Sequence, residues 1–228
     1  MKRRDVAIRR IEMLTPNVRS ITFGGDALHD FVSASFDDHV KVFIPDEGQE
    51  PIRRDYTPRH FDRDARELTI EFYLHADGPA SRWAAAATVG DEIAVGGPRG
   101  SFIVPLDYDR HVLVGDLSAL PAIARRLEEL PITAVGTAIL QAAPRDRRAL
   151  VAPSQLEIAW VSTPAECLSA VKQLRLASDE DTFVWCAGEN RQVAEWRRLF
   201  VDEKGLSRHA IRASAYWRSG EASHHETL

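Results

Sequence analysis

The chain has 228 residues, 44% of them hydrophobic and 28% charged, with a formal net charge of -5. That suffices for one large domain or two small ones, each with a core, and the mild acidity argues against a general nucleic-acid binder while leaving local basic patches open. Two cysteines, Cys167 and Cys186, are too few for a zinc or iron–sulfur site, MKRRDVAIRRIEML lacks the apolar run of a signal peptide, and no segment nears the roughly 18 apolar residues of a membrane helix. The expectation is a cytoplasmic monomer with reduced thiols, no resident metal, no nucleic-acid partner and no stable membrane association.

The first half alternates in the manner of β-structure. Val18–Gly25 (VRSITFGG), Asp38–Pro45 (DHVKVFIP) and Glu67–His75 (ELTIEFYLH) carry β-branched and aromatic residues at short intervals. Turn-type residues divide them, and Asp91–Gly97 (DEIAVGG) is a further strand. One helix interrupts, PASRWAAAATVG, with Pro79 near its start and Gly90 past its end. Short strands with a single helix predict a small antiparallel barrel. Near Asp107 the pattern changes. HVLVGD (111–116), ITAVGTAILQ, QLEIAWV and DTFVWCAGE read as buried strands, and HAIRASAYW (209–217) as a last one. SALPAIARRLEEL (118–130), PAECLSAVKQL and NRQVAEWRRLFVDEKG read as helices, the last capped by Gly205. This alternation predicts a parallel α/β sheet, hence a barrel domain over 1–107 and an α/β domain over 108–228. The polar tail SGEASHHETL reads as loose.

Five stretches could carry chemistry. In RRDYTPRH (53–60) an extended backbone puts Arg54 and Tyr56 on one face and Asp55 and Thr57 on the other. A flat ring on Tyr56 with an anion on Arg54 is coherent; a solvated edge strand is the plain alternative. In HADGPASRWA a Gly-Pro turn feeds a helix start that would attract an anion such as a diphosphate, with Ser81 adding a hydroxyl; an ordinary helix start is the alternative. GGPRGSF (96–102) allows close backbone approach or a tight barrel bend. VGDLSALPA and CAGE end two buried strands, and parallel strands would bring both to one crevice where nucleotides bind, although only Gly115 survives of a G-x-G-x-x-G pattern. No G-x-S-x-G supports a nucleophilic hydrolase.

Taken in order, ITFGGDAL, DHVKVFIP, RRDYTPRHFD, HADGPASRWA, GDEIAVGGPRGSF, GDLSALPAI, WCAGE and AYWRSG resemble the siderophore-interacting proteins, a branch of the ferredoxin-reductase-like flavoproteins. The resemblance runs from Val6 to Gly220. It implies an N-terminal antiparallel FAD-binding β-barrel, a C-terminal Rossmann-like parallel-sheet NAD(P)H domain, and NAD(P)H-dependent reduction of ferric siderophores. Tyr56 would stack on the isoalloxazine, Thr57 approach its N5 edge, and Arg54 bind the phosphates. Asp55, Leu74, His75, Gly78, Pro79, Ala80 and Ser81 would complete the FAD site. Gly115, Asp116, Ser118, Ala119, Ala187, Gly188 and Glu189 would face the nicotinamide nucleotide.

Nicotinamide gives two electrons as hydride and ferric iron accepts one, so a flavin bridges them. Ferric siderophores are often anionic, which calls for local positive charge in an acidic protein; Lys41, Arg99 and Arg218 are the candidates around the exposed flavin, each with a plain surface charge as its alternative. Tyr216 or Trp217 could cover a ring or pack the core. Two other functions stay open: a flavin-loaded siderophore carrier with little turnover, and a general NAD(P)H flavin reductase with another acceptor. NADH and NADPH are not separated, although PRDRR (144–148) offers three arginines near a strand end.

Overall fold

A strand hidden by its charges runs through the middle of the first sheet: β1 (Arg3–Thr15). Its inward positions hold Arg4, Val6 and Ile8, all buried. Arg4 keeps its charge satisfied through Asp30 at 3.2 Å and the carbonyl oxygen of Gly97 at 2.9 Å. In the computed structural model, which describes residues 1–46, 48–74, 78–220 and 226–227, the chain divides into two compact units, Met1–Val104 and Pro105–Leu228.

The first unit continues with β2 (Val18–Gly24), β3 (Val40–Ile44), β4 (Ile52–Tyr56), β5 (His60–Asp62), β6 (Glu67–Tyr73), α1 (Pro79–Ala86) and β7 (Glu92–Gly96). These strands form a seven-stranded sheet in the order β4-β3-β7-β1-β2-β6-β5, antiparallel throughout. The expected barrel is thus an open half-barrel. Its concave core gathers Ile8, Ile21, Phe23, Val40, Val42, Leu68, Ile70 and Phe72. α1 closes it, with Trp83 stacked on Phe23 at 6.4 Å. The helix stops at Ala86, short of Gly90, because Thr88 takes an Asp91 side-chain bond in place of a helical one. The freed carbonyls are collected by a residue on β2: the Arg19 guanidinium donates to the carbonyl oxygens of Ala84, Ala85 and Ala87.

The second unit holds β8 (Arg110–Asp116), α2 (Leu120–Glu129), β9 (Val135–Gln141), β10 (Gln155–Val161), α3 (Pro164–Gln173), β11 (Thr182–Glu189), α4 (Asn190–Arg198), β12 (Ile211–Trp217) and β13 (Glu226–Thr227). The sheet order is β10-β9-β8-β11-β12-β13, parallel except for β13. The chain winds outward from β8 through β9 to β10, then returns to the other side of β8 as β11 and β12. The carboxyl ends of β8 and β11 therefore flank the switch point at which such sheets bind ligands. α2 starts at Leu120, later than the sequence suggests, because Ser118 is bonded back to Asp116. Glu226–Thr227 from the tail read as loose pair with Ser214 and Ala215. α4 runs into a π turn over Leu199–Glu203, and Gly205 follows at φ 72° as the expected cap.

Candidate functional site

In the first unit the register of β3 and β4 sorts the side chains of RRDYTPRH. Arg54 sits opposite Val42 and Tyr56 opposite Val40, on the face of the buried core, while Lys41 sits opposite Asp55 on the other face. The expected alternation holds as far as Tyr56. Thr57 lies past the strand end and is buried. Tyr56 packs against Phe72 with ring centroids 4.4 Å apart, and Trp83 of α1 meets the same Phe72 at 5.6 Å. One aromatic hub thereby brings β4 and the short helix α1 to the same part of the half-barrel. Burial drives the Tyr56 phenol well above its ordinary pKa, with the Arg54 charge opposing it, so Tyr56 stays neutral and offers a ring rather than a proton.

Gly78 precedes α1 without a side-chain cap and Pro79 opens it. The amides of its first turn thus carry the partial positive charge of a helix start. Ala80 and Ser81 are buried there, and Leu74 packs against the core with its N–H bonded to the carbonyl oxygen of Asn17. His75 lies outside the described residues. This set fits FAD in kind: a neutral ring partly packed from behind, a guanidinium two residues away on the same face, and an uncapped helix start. Behind it lies a pair that inspection of the sequence passes over. Arg59 and Glu71 form an ion pair at 3.3 Å, their side chains 16% and 5% exposed, and the Arg59 N–H bonds the carbonyl oxygen of Thr69. These contacts fasten the segment after Thr57 to β6.

Two of the three cationic candidates also belong to this unit. Lys41 donates to both Asp55 oxygens, at 2.7 and 2.9 Å, so Asp55 has its charge turned toward a lysine. Lys41 is in register with Gly96, where the loop bearing the exposed Arg99 begins. Asp38 anchors that loop by accepting from the Ser101 hydroxyl at 2.8 Å. Arg218, also exposed, belongs to the second unit.

In the second unit the predicted pair of strand ends does converge: Gly115 is in register with Ala187 on adjacent parallel strands. A Cβ on Gly115 would stand 2.6 Å from the Ala119 Cβ and 3.1 Å from the Ala187 oxygen, so only glycine permits this strand-to-helix approach. Asp116 is 7% exposed and its carboxylate is fully engaged. Oδ1 accepts from the Ser118 N–H at 2.8 Å and hydroxyl at 2.5 Å. Oδ2 accepts from the Glu189 N–H at 3.1 Å and the Trp217 indole N–H at 2.8 Å. Gly188 passes so close that a Cβ there would lie 2.7 Å from Oδ2. Asp116 is therefore a knot joining the ends of β8, β11 and β12, and not a group pointing into open space. The Glu189 carboxylate caps α4 by accepting from the Gln192 N–H. Tyr216 meets Trp185 edge-on at 6.2 Å and packs the interior, whereas Trp217 is 43% exposed. The buried Oε1 atoms of Gln141 and Gln192, which the sequence did not flag, have no donor among the described residues.

Cys167 and Cys186 are buried and unbonded, and burial pushes both thiols up to about 12. Neither is a nucleophile. Among the described residues no helix is long and apolar enough to cross a membrane, and no group of His, Cys, Asp or Glu could hold a metal ion.

Comparison with known proteins agrees with this geometry. A family model described as siderophore-interacting protein matches residues 108–220, and one described as siderophore-interacting FAD-binding domain matches 7–52 and 45–102. The chain is 35% identical to the NADPH-dependent ferric-chelate reductase of Escherichia coli K12, covering 95% of this chain and 93% of that protein. It is 30% identical to the ferric vibriobactin reductase of Vibrio cholerae, over 95% and 90%. A siderophore utilization protein from T. fusca superposes with a TM-score of 0.91 at 35% identity, covering 98% and 95% of the two chains. A ferredoxin NADP+ reductase from Neisseria gonorrhoeae, with bound FAD and NADP, shares the fold at a TM-score of 0.73 and 18% identity, over 95% of this chain and 100% of that one.

Proposed function

The chain belongs to the siderophore-interacting protein family and is an FAD-containing oxidoreductase, and from that premise we propose that it reduces ferric siderophores at the expense of NAD(P)H. The observation carrying this reading is the pairing, on one chain, of the Arg54 and Tyr56 face of β4, followed by Thr57, with the adjacent parallel strand ends of β8 and β11. FAD supplies the step between a two-electron donor and a one-electron acceptor.

The chain's own residues hold and orient. Tyr56, backed by Phe72, presents its ring to the flavin; Arg54 meets the phosphates together with the start of α1 at Gly78, Pro79, Ala80 and Ser81, flanked by Leu74 and His75. Thr57 offers its polar groups to the flavin edge. Asp55 acts through Lys41, whose ammonium it orients and whose charge it partly offsets. Gly115 and Gly188 let the two strand ends pack closely against Ala119 and Asp116, and the nucleotide would lie over them, between Asp116, Ser118 and Ala119 on one strand end and Ala187 and Glu189 on the other. Lys41, Arg99 and Arg218 supply positive charge toward an anionic ferric chelate. Fe(II) is held less tightly than Fe(III) by hard anionic oxygens, so reduction releases the metal.

The test is iron release. FAD-loaded protein given NADPH and a ferric catecholate should form Fe(II), read with a ferrous-specific chromogenic chelator. Fe(II) formation no faster than in the protein-free control would contradict the proposal.

A further inference from the structure

A sheet edge presents unpaired N–H and C=O groups that another strand can join, and proteins blunt such edges with charge, proline or short length. Among the described residues, three of the four edges are blunted in this way: β4 carries Arg53, Arg54 and Asp55, β5 has three residues and β13 has two. β10 is the exception. It is seven residues long, QLEIAWV, with no proline and a single charge at Glu157. Val161 accepts from the Ala142 N–H on the β9 side, so the backbone groups of Glu157, Ala159 and Val161 turn toward β9 and those of Ile158 and Trp160 turn outward. Among the described residues no hydrogen bond reaches those outward groups. The Ile158 and Trp160 side chains beside them are only half-buried.

We propose that β10 is the contact through which two copies of this chain associate, antiparallel about a two-fold axis at Ala159, joining their six-stranded sheets into one where the sequence led to a monomer. The strand fits its own copy. With the axis at Ala159, Ile158 lies opposite Trp160 of the partner subunit, and Trp160 opposite Ile158 of the partner subunit. Outward residues thus meet outward residues, and all of their N–H and C=O groups are paired. An axis at Ile158 or at Trp160 would leave a carbonyl without a donor, because the Leu156 N–H is held by Pro153 and the Ser162 N–H by Glu166. Ala159 meets its own copy in the non-hydrogen-bonded position, where side chains come closest and a small one fits. Glu157 falls opposite Val161 of the partner subunit, so no like charges face each other, and indole against isoleucine is a favourable cross-strand pair. Such a two-fold contact closes on itself and stops at the dimer.

The test is the solution mass of the FAD-loaded protein by light scattering across a dilution series, with cysteine cross-linking to fix the register. At high concentration the mass should be twice the 25.5 kDa of one chain and should fall toward it on dilution. Ile158→Pro removes an outward N–H and no bond to β9, and proline is tolerated where a strand's N–H faces solvent, so this variant should fold and keep the mass of one chain throughout. Ala159→Cys should form an interchain disulfide on mild oxidation, because its two copies face each other across the axis. Glu157→Cys, displaced from its own copy along the strand, should not. Cys167 and Cys186 are buried, so the parent should stay uncross-linked. If Ile158→Pro does not fold, the cysteine pair still decides the contact. A parent with the mass of one chain at every concentration overturns the proposal and leaves this edge to the strand of an unrelated partner. A dimer in which neither cysteine variant cross-links, or both do so equally, also overturns it, because its contact then lies elsewhere or in another register.

Discussion

Replacing Arg19 with Met removes a guanidinium while keeping most of its apolar stem. In the structure that guanidinium takes the carbonyl oxygens of Ala84, Ala85 (2.7 Å) and Ala87 (3.0 Å) at the C-terminal end of α1. Ala85 is exposed, so water can replace the lost donor there. Ala84 and Ala87 are buried, 0% and 4% exposed, and their carbonyls would be left short of a partner. A lost bond from a charged donor costs about 1.5–3 kcal/mol, and the favourable charge at a helix C-terminus adds about 0.3–1 kcal/mol. Discounting for partial hydration, a loss of roughly 2–4 kcal/mol is expected. For a unit of this size that lowers the melting temperature by roughly 10 °C or more. Since α1 also carries the proposed diphosphate-binding turn, flavin should dissociate earlier in the melt. The assay is a thermal melt followed by far-ultraviolet circular dichroism and by flavin fluorescence together. A variant that melts within a degree of the parent, with unchanged flavin release, would refute the capping role of Arg19.

Other consequences are equally direct. Burial, aided by the Arg126 charge, pushes the His111 imidazole down from 6.5 to about 4, against a backbone bond at Leu106. Its folded pKa is depressed, so the native state holds fewer protons than the unfolded state below pH 6.5; stability is full above that value and is lost as pH falls toward 4, by roughly 2 kcal/mol at pH 5. Urea titrations at pH 7 and pH 5 should show this loss, and a His111→Gln variant should lack it. Gly136→Ala would press a methyl onto the carbonyl oxygen of His111, where only backbone can give way. It should sharply lower the yield of folded protein, whereas Gly100→Ala, at a position open to solvent, should not. Lys41→Ala should raise KM for an anionic ferric siderophore more than for a neutral chelate, and Asp55→Asn, by releasing the Lys41 charge, should lower it. Equal effects on both chelates would remove Lys41 from the docking surface.

The parts of the fold that sequence made legible are those where one physical signal dominates. β8 and β11 are buried along nearly their whole length and read as apolar runs; α3 begins at Pro164, as PAECLSAVKQL reads, and the Thr163 side chain before it accepts from the Glu166 N–H. β1 was not legible, because Arg3, Arg4, Arg9 and Arg10 mask the alternation of Val6 and Ile8, and because burial of Arg4 depends on a distant partner, Asp30. The end of α1 was mistaken because Gly90 looks like a cap while the stop comes from Asp91 and Arg19. At the site, residue type and spacing pointed to Arg54, Tyr56 and the two strand ends. What they could not reveal was pairing across the fold: Lys41 with Asp55, Arg59 with Glu71, and Asp116 with Trp217, residues 101 apart in sequence. Contacts of that range are set by topology and carry no local signature.

The central claim is an electron path from nicotinamide through bound flavin to siderophore iron. Its most direct measurement is an anaerobic visible spectrum of the FAD-loaded protein, taken before NADPH, after NADPH, and again after a ferric siderophore. The flavin absorbance should bleach with the nucleotide and return with the ferric complex. A flavin spectrum that neither NADPH nor NADH bleaches, or a bleached one that the ferric siderophore fails to restore, would contradict it.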